Sequence, residues 1–335
     1  MTLQTSQLES LEPTPVESDE SSTKAVAGLS PSRLALRRFR RDRLSMVAFV
    51  VVASYVVLAL LAPILVKIGF IDPFKFHQNL LDANLGGIPK GKFGGVSGSH
   101  LLGVEPGTGR DVLARMWYGV TFSLTIALAA TLVSSVLGVV LGIIAGFRGG
   151  LIDATIGRVI DLTLSFPQTL MLLALSTVFV LAIQNALNVN VNLANGIYEV
   201  LVLGLFGWPT VARLIRGQVL SIREREFIDA AVLLGASQRR IYFKEILPNL
   251  WAPILVSFTL TMPAYVSTEA ALSFLNVGIK PPTPTLGNIL DGSINYAQSD
   301  FLFFFFPALL IAIIVVSFNL LGDGIRDALD PKSDR

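Results

Sequence analysis

Arg158, Asp161 and Glu269 are ionisable residues that lie inside long apolar stretches of the sequence and could do chemistry there. Such groups at membrane depth pair with each other or face water, and they often mark a solute pathway. Arg158 and Asp161 are three positions apart on one face of a helix, so an ion pair between them is the more ordinary interpretation. For Glu269, two roles stay open: a functional carboxylate, or a carboxyl that is hydrogen-bonded between helices.

Covalent and metal chemistry have little support in this sequence. The 335 residues include no Cys and two His, and no nucleophile–base pattern accompanies them. We therefore predict no catalytic residue, no metal site and no cofactor, which argues against a membrane-bound enzyme. The net charge of +2 gives no indication of a nucleic-acid partner.

The composition is that of a membrane protein. Hydrophobic residues make up 52% of the chain, charged residues make up 15%, and the mean hydropathy is +0.65. A soluble globular domain has about 25% charged residues. A helix needs roughly 20 mostly apolar residues to cross the hydrocarbon of a bilayer. Six stretches qualify: residues 44–66, 121–147, 151–183, 197–215, 250–274 and 301–321.

The distribution of Lys and Arg predicts the orientation of these spans, because cytoplasmic loops are enriched in both. Basic residues cluster before the first span, between the fourth and fifth spans, and after the sixth. The loop at 184–196 has none, and the loop at 277–300 has only Lys280. The long first loop is also basic, but long loops follow the rule less strictly. We therefore expect both termini in the cytoplasm.

These spans divide the chain into five parts. Residues 1–35 are polar and acidic, and we expect a disordered tail there. The remaining parts are a basic segment with the first span (36–66), an extracytoplasmic loop (67–118), a transmembrane core (119–322) and a cytoplasmic tail (323–335).

One charge-rich segment of the core, residues 223–249, is predicted to form a short helical hairpin in the cytoplasm. Gly235 suits the left-handed conformation that ends a helix, Ser237 can cap the next helix, and Pro248 is expected to end it. From these residues alone, a docking element and an amphipathic connector on the membrane surface stay equally open.

Three motifs resemble those of a known family. The stretch "DAAVLLGASQRRIYFKEILPN" in the hairpin resembles the EAA motif of ABC-importer permeases, with Asp229 in place of the usual Glu. The stretch "STEAALSFLNVGIKPPTPTLGNIL" is similar to the signature of the C-type permease of dipeptide, oligopeptide and nickel importers. "GRDVLARMWYGVTFSL" resembles the segment that enters the second span of that family. The resemblance covers residues 37 to 326.

This resemblance implies an all-α polytopic membrane protein with six transmembrane helices and the type I ABC-importer permease fold. It implies a place in the bacterial cytoplasmic membrane and a short peptide as cargo. The implied partners are a second homologous permease, two cytoplasmic ATPases that hydrolyse the ATP, and an extracytoplasmic substrate-binding protein. The implied ATPase-coupling residues are Glu226, Phe227, Asp229, Ala230, Ala231, Gly235, Ala236, Arg240, Leu247 and Pro248. Arg158, Asp161 and Glu269 stay candidates for the translocation cavity or its gate.

Two rival functions remain. Nickel or another small solute is an alternative cargo, since related permeases share these motifs. A self-sufficient secondary transporter or channel is less consistent with the sequence. Such proteins favour internal repeats and ion-coupling acids on broken helices, and no convincing repeat is present.

Overall fold

The computed structural model describes residues 31–329 as a helical bundle. Two-residue strands β1 (Leu81–Asp82) and β2 (Ile88–Pro89) pair antiparallel, and short 3₁₀ turns flank them at Gln78–Leu80, Ala83–Leu85 and Phe93–Gly95. The helices are α1 (Pro31–Arg41), α2 (Arg43–Lys67), α3 (Val112–Arg148), α4 (Gly150–Ser165), α5 (Gln168–Leu187), α6 (Val191–Ile222), α7 (Glu226–Leu233), α8 (Gln238–Phe274), α9 (Leu286–Ile294) and α10 (Phe301–Leu329).

Six of these helices are long and apolar enough to cross a membrane, which confirms the predicted number of spans: α2, α3, α5, α6, α8 and α10. The predicted third span, 151–183, is wrong in its bounds. Phe166 is extended and Pro167 precedes α5, so the chain breaks there into α4 and α5. Proline disfavours a helical conformation at the residue before it, and the span begins only at Gln168.

Two predicted boundaries also change. Residues 31–35, which the sequence assigned to a disordered tail, belong to α1. The last span continues as helix to Leu329, beyond its expected end at residue 321. The rest of the predicted tails, residues 1–30 and 330–335, lies outside the described residues.

The most extensive helix packing within residues 31–329 is between α3 and α6. Gly138, Gly142 and Gly146 recur every four residues along α3, where they meet Val211, Ile215 and Val219 of α6. A Cβ atom on Gly142 would lie 2.8 Å from the carbonyl oxygen of Ala212. Small residues at this spacing let two backbones approach closely, as in other membrane helix pairs.

A shared apolar core joins α3, α6, α8 and α10, with Ala127, Leu203, Val266 and Ile314 fully enclosed. By contrast, α2 and α5 lie at the edge of the bundle and leave most of their apolar side chains exposed. Lipid tails or another membrane subunit can cover such surfaces without an energetic penalty, whereas water cannot.

The bundle has two distinct ends. The hairpin end carries residues 223–249 together with the last turns of α3 and α10. The loop end carries the first loop (residues 68–111) and α9. The first loop is ordered by buried polar contacts: Glu105 accepts a 2.6 Å hydrogen bond from Arg110, and His100 lies 2.7 Å from Asp111. At the same end, Thr285 and Asn288 form a reciprocal cap at the start of α9.

Candidate functional site

Glycine makes the turn of the hairpin. Gly235 has φ of +76°, the left-handed conformation that the sequence predicted. Its amide donates to the carbonyl of Val232 at 2.9 Å, and the Ala236 amide donates to Ala231 at 3.0 Å. These two bonds satisfy the last carbonyls of α7, as in other glycine-terminated helices. Ser237 then accepts a hydrogen bond from the Arg240 amide at 3.4 Å, the predicted cap of the next helical segment.

Pro248 does not end that segment, contrary to the prediction. The chain passes from Gln238–Arg240 through a π-helical turn (Ile241–Ile246) and a 3₁₀ turn (Leu247–Leu250) into the regular helix Trp251–Phe274. Pro248 sits in the first turn of the 3₁₀ segment, where its missing amide hydrogen costs little. The second half of the hairpin is therefore the first part of α8.

The hairpin has an apolar inside and an apolar tip. Ile228, Ile241 and Ile246 are buried against the end of α6. Leu233 and Leu234 at the tip are 87% and 88% exposed. An apolar tip this exposed is typical of a surface that another protein covers.

The sequence-predicted coupling residues surround this tip and lie at its surface. Seven are exposed and the other three are half-buried. The exposed ones are Glu226, Phe227, Asp229, Ala230, Gly235, Arg240 and Pro248, and the half-buried ones are Ala231, Ala236 and Leu247.

Polar contacts tie the hairpin to the end of α3. The Arg148 guanidinium donates to the Gln238 side-chain oxygen at 2.6 and 3.1 Å, and Arg223 donates to the carbonyl of Gly146 at 3.2 Å. The rings of Phe147 and Tyr242 meet edge to face at 5.4 Å. A force on the hairpin would therefore reach α3 as well as α6 and α8.

The predicted pairing of Arg158 with Asp161 is wrong. Asp161 instead accepts a 2.8 Å hydrogen bond from Arg213 of α6. Both side chains of that pair are more than half exposed, and Arg158 lines the same recess of about 400 Å³. All three lie near the hairpin end, between α4 and α6.

A second ion pair crosses the same recess and is better enclosed. Arg216 donates to both carboxylate oxygens of Asp153, at 2.5 and 2.7 Å. These hydrogen bonds hold the pKa of Asp153 below its ordinary value. Both pairs link α4 to α6, and the better enclosed Asp153–Arg216 pair contributes more to holding the helices together than the exposed one.

Glu269 is fully enclosed and is not part of the lining of five cavities identified among residues 31–329. Its carboxylate accepts hydrogen bonds from the hydroxyls of Ser123, at 2.8 Å, and Ser273, at 3.1 Å. The expected position at the translocation cavity or its gate stays a prediction. Of the two roles left open by the sequence, this geometry favours the carboxyl that is hydrogen-bonded between helices.

Sequence reasoning missed Glu199, a second enclosed carboxyl within electrostatic range of Glu269. It lies on α6 and packs against Gly278, and neither carboxylate oxygen has a hydrogen-bond partner among the described residues. The signal was available, since Glu199 is an acidic residue at the start of a predicted span. The rule that singled out Glu269 applies equally to it.

Sequence reasoning also missed a groove of about 890 Å³ between α6 and α8. Its apolar wall carries several uncharged polar side chains, and Arg326 stands at the rim. The sequence signal was weak, because single neutral polar residues are common in membrane helices. These groups are Gln168, Thr210, Gln218, Ser257 and Thr261. Within residues 31–329, no cluster of three or more His, Asp or Glu side chains could hold a metal ion.

Comparison with known proteins agrees with this geometry. Residues 138–335 match the binding-protein-dependent transport system inner membrane component family. Residues 30–85 match the N-terminal transmembrane domain of oligopeptide transport permease C. The chain belongs to the family of inner membrane components of binding-protein-dependent transport systems. It is a multi-pass inner membrane protein and a translocation subunit.

Three named relatives show which members of this family the chain resembles. The dipeptide transport system permease protein DppC of Alkalihalophilus pseudofirmus is 33% identical over 304 residues, 91% of each chain. The oligopeptide transport system permease protein OppC of Bacillus subtilis is 32% identical over 96% of each chain. The glutathione transport system permease protein GsiD of Escherichia coli is 35% identical over 88% of this chain and 89% of its own.

Among solved structures, a chain of the inward-facing MetNI methionine ABC transporter has the same fold. The TM-score is 0.51 at 20% sequence identity, over 65% of this chain and 96% of that one. The type I permease fold predicted from the motifs is therefore confirmed.

Proposed function

We propose that this chain is the permease subunit of an ATP-binding-cassette importer that moves short peptides across the cytoplasmic membrane by alternating access. Separate ATPase subunits dock on the hairpin at residues 223–249 and hydrolyse the ATP. The observation that carries this proposal is the apolar tip of the hairpin, where Leu233 and Leu234 are exposed beside a left-handed glycine.

The connections of the hairpin support its role in energy coupling. Because it runs directly into α8 and is bonded to α3, movement of a docked ATPase is transmitted to both helices. The ion pairs between α4 and α6 keep those helices moving together. Rigid-body rocking of packed helices around a central path is how transporters alternate between their two open states.

The groove between α6 and α8 supports a peptide cargo. Its amide and hydroxyl groups can hydrogen-bond the backbone of an extended peptide, and its apolar wall can take side chains of different kinds. Apart from Arg326, none of the described residues that line the groove is charged. Such a surface would hydrogen-bond the peptide backbone and accept peptides with different side chains. The named activities of the dipeptide, oligopeptide and glutathione relatives point the same way.

The exposed apolar surfaces support an assembly with further subunits. A second, homologous permease completes the translocation path opposite this groove, and lipid covers the rest of the apolar surface. Both termini face the cytoplasm, with the hairpin end on that side. An extracytoplasmic binding protein delivers the peptide at the loop end.

The decisive experiment compares two glycines with the same backbone conformation. Gly235 and Gly69 have φ of +76° and +74°, and a Cβ atom added to either would have no neighbouring atom within 4 Å. A side chain at either strains the turn by about 1 kcal/mol or more. Only Gly235→Leu also places a bulky group in the proposed ATPase interface.

The complete importer is reconstituted in liposomes, and uptake of a labelled dipeptide is measured together with ATP hydrolysis. Gly235→Leu should insert normally but lose uptake and the stimulation of ATP hydrolysis by loaded binding protein. Gly69→Leu should retain both. Normal transport by a well-expressed Gly235→Leu variant would refute the coupling role, and uptake of Ni²⁺ but of no peptide would refute the cargo.

A further inference from the structure

Helix α1 presents a basic surface that the transport cycle does not use. Its eleven residues include five arginines and no acidic residue. Arg33, Arg37, Arg40 and Arg41 are exposed, and Leu36 between them is 50% exposed. These five side chains surround a shallow recess of about 270 Å³, called here the arginine recess.

The opposite face of α1 is attached to the bundle. Phe39 is half-buried, packs edge to face on Phe49 of α2 at 6.3 Å, and lies beside Gly324 near the end of α10. Asp42, in an extended conformation, ends α1 and caps α2 through the amides of Leu44 and Ser45. The orientation of the arginine recess is therefore set by packing.

The charge of the arginine recess is not neutralised by the part of the protein that the structure describes. None of its four guanidinium groups forms an ion pair with a described acidic side chain. Guanidinium groups bind phosphate through paired hydrogen bonds, so phosphate is the anion that such a cluster fits best.

The position of α1 indicates which kind of molecule would carry that phosphate group. The transmembrane helix α2 begins at Arg43, only two residues after α1 ends, so the arginine recess lies at the membrane boundary. Next to it, Leu44 and Val47 are exposed apolar side chains on the first turns of α2. A phosphate group with an acyl chain attached matches both surfaces at once.

From this arrangement we propose that the arginine recess binds the phosphodiester headgroup of an anionic phospholipid in the adjoining leaflet, with an acyl chain along the start of α2. The bound lipid holds α1 at the membrane surface and so fixes the position at which the first span, α2, enters the membrane. Each basic residue near a membrane surface strengthens binding to anionic lipid by about fivefold. Binding requires neither peptide nor ATPase.

The test uses the full-length chain, purified in detergent and stripped of lipid. It is incubated with equal amounts of phosphatidylglycerol and phosphatidylcholine, and the retained lipids are counted by native mass spectrometry. A titration gives each affinity. The triple variant Arg33→Gln, Arg37→Gln, Arg40→Gln should lose roughly a hundredfold in affinity for phosphatidylglycerol. The charge-matched control Lys75→Gln, Lys90→Gln, Lys92→Gln removes three exposed lysines of the first loop and should stay within about twofold of the unchanged chain.

Arg37→Gln alone should cost about fivefold, which keeps the test informative if the triple variant misfolds. Three results would overturn the proposal. The first is full affinity of the triple variant for phosphatidylglycerol. The second is equal binding of both lipids by the unchanged chain. Displacement of the lipid by an equal concentration of inorganic phosphate would identify a site for free phosphate instead.

Discussion

The hydroxyl of Ser123 donates a hydrogen bond to Glu269 at 2.8 Å and accepts one from the backbone amide of Leu286 at 3.0 Å. One enclosed hydroxyl thus connects α3, α8 and the start of α9. Leu286 follows Thr285, whose side chain caps α9. The arrangement holds a short helix of the loop end against two membrane spans.

Removal of that hydroxyl should destabilise the protein. Ser123→Ala removes one hydrogen bond to the Glu269 carboxylate and leaves the Leu286 amide without its partner in an enclosed site, at a cost of about 1–3 kcal/mol. The free energy of unfolding in mixed micelles measures this loss. Ser54→Ala removes an exposed hydroxyl that bonds only to the Val51 carbonyl, so it should change stability by less than about 0.5 kcal/mol. Equal stability of the two variants would contradict the proposed connection.

Two substitutions of Glu269 distinguish the role of its shape and hydrogen bonds from the role of its charge. Glu269→Gln keeps the shape of the side chain, one acceptor oxygen and an amide group that can donate to the other hydroxyl, so assembly and transport should stay near normal. Glu269→Leu leaves both hydroxyls without their acceptor and should cost about 2 kcal/mol or more, with loss of assembled protein. Yield after membrane extraction and uptake by reconstituted importer measure the two effects. A Gln variant that assembles fully but does not transport would restore the role in gating.

The contact between α3 and α6 should be sensitive to a single methyl group. Gly142→Ala brings a Cβ atom to within 3 Å of Ala212 and Ile215, so the helices must move apart at a cost of about 1–3 kcal/mol. Gly157→Ala is the matched control, because Gly157 is also helical but nothing lies within 4 Å of an added Cβ. The control should be neutral or stabilising by up to about 1 kcal/mol. Unfolding of both variants under the same conditions checks the difference, and a neutral Gly142→Ala would rule out the close approach.

The ion pair between Asp153 and Arg216 should contribute to stability in a pH-dependent way. Because its hydrogen bonds with Arg216 lower the pKa of Asp153, the pair is fully formed above the ordinary pKa of an aspartate. Its contribution is lost as the pH falls through the lowered pKa. Both side chains are partly exposed, so Asp153→Asn should cost only about 1 kcal/mol at neutral pH.

The measurement compares the unfolding free energy of Asp153→Asn with that of the unchanged chain between about pH 7 and about pH 3. The difference should shrink toward zero in acid. Asp161→Asn serves as the control, because its pair with Arg213 is mostly exposed and contributes little at any pH. A difference that grows as the pH falls would contradict the assignment.

The predicted orientation of the spans can be tested with reporter fusions. Fusions to the N-terminus, after Arg148, near Gly235 and at the C-terminus should report the cytoplasm. Fusions near Gly91, Asn190 and Thr285 should report the opposite side. A cytoplasmic signal at Thr285 would be incompatible with a sixth span and with the orientation proposed for the hairpin.

The sequence by itself determined the class of protein, the number of spans and the turn of the hairpin. Each of these depends on local chemistry. A span is defined by some twenty consecutive apolar residues, since its backbone bonds are all internal. The turn at Gly235 and the cap at Ser237 involve amides and carbonyls only a few residues away. Both could therefore be predicted from the local sequence, and both are present in the structure.

Only the tertiary structure decided which side chains meet. Asp161 has a basic neighbour three residues away, yet it pairs with Arg213, 52 positions along the chain. Glu269 lies in an apolar stretch, where an acidic residue often faces a cavity. In the structure it is enclosed and accepts a hydrogen bond from Ser123 of another span. Spacing along a helix shows which residues share a face, but it does not show what lies opposite that face. That choice depends on how the helices pack, as at Gly142, where α3 and α6 approach each other closely.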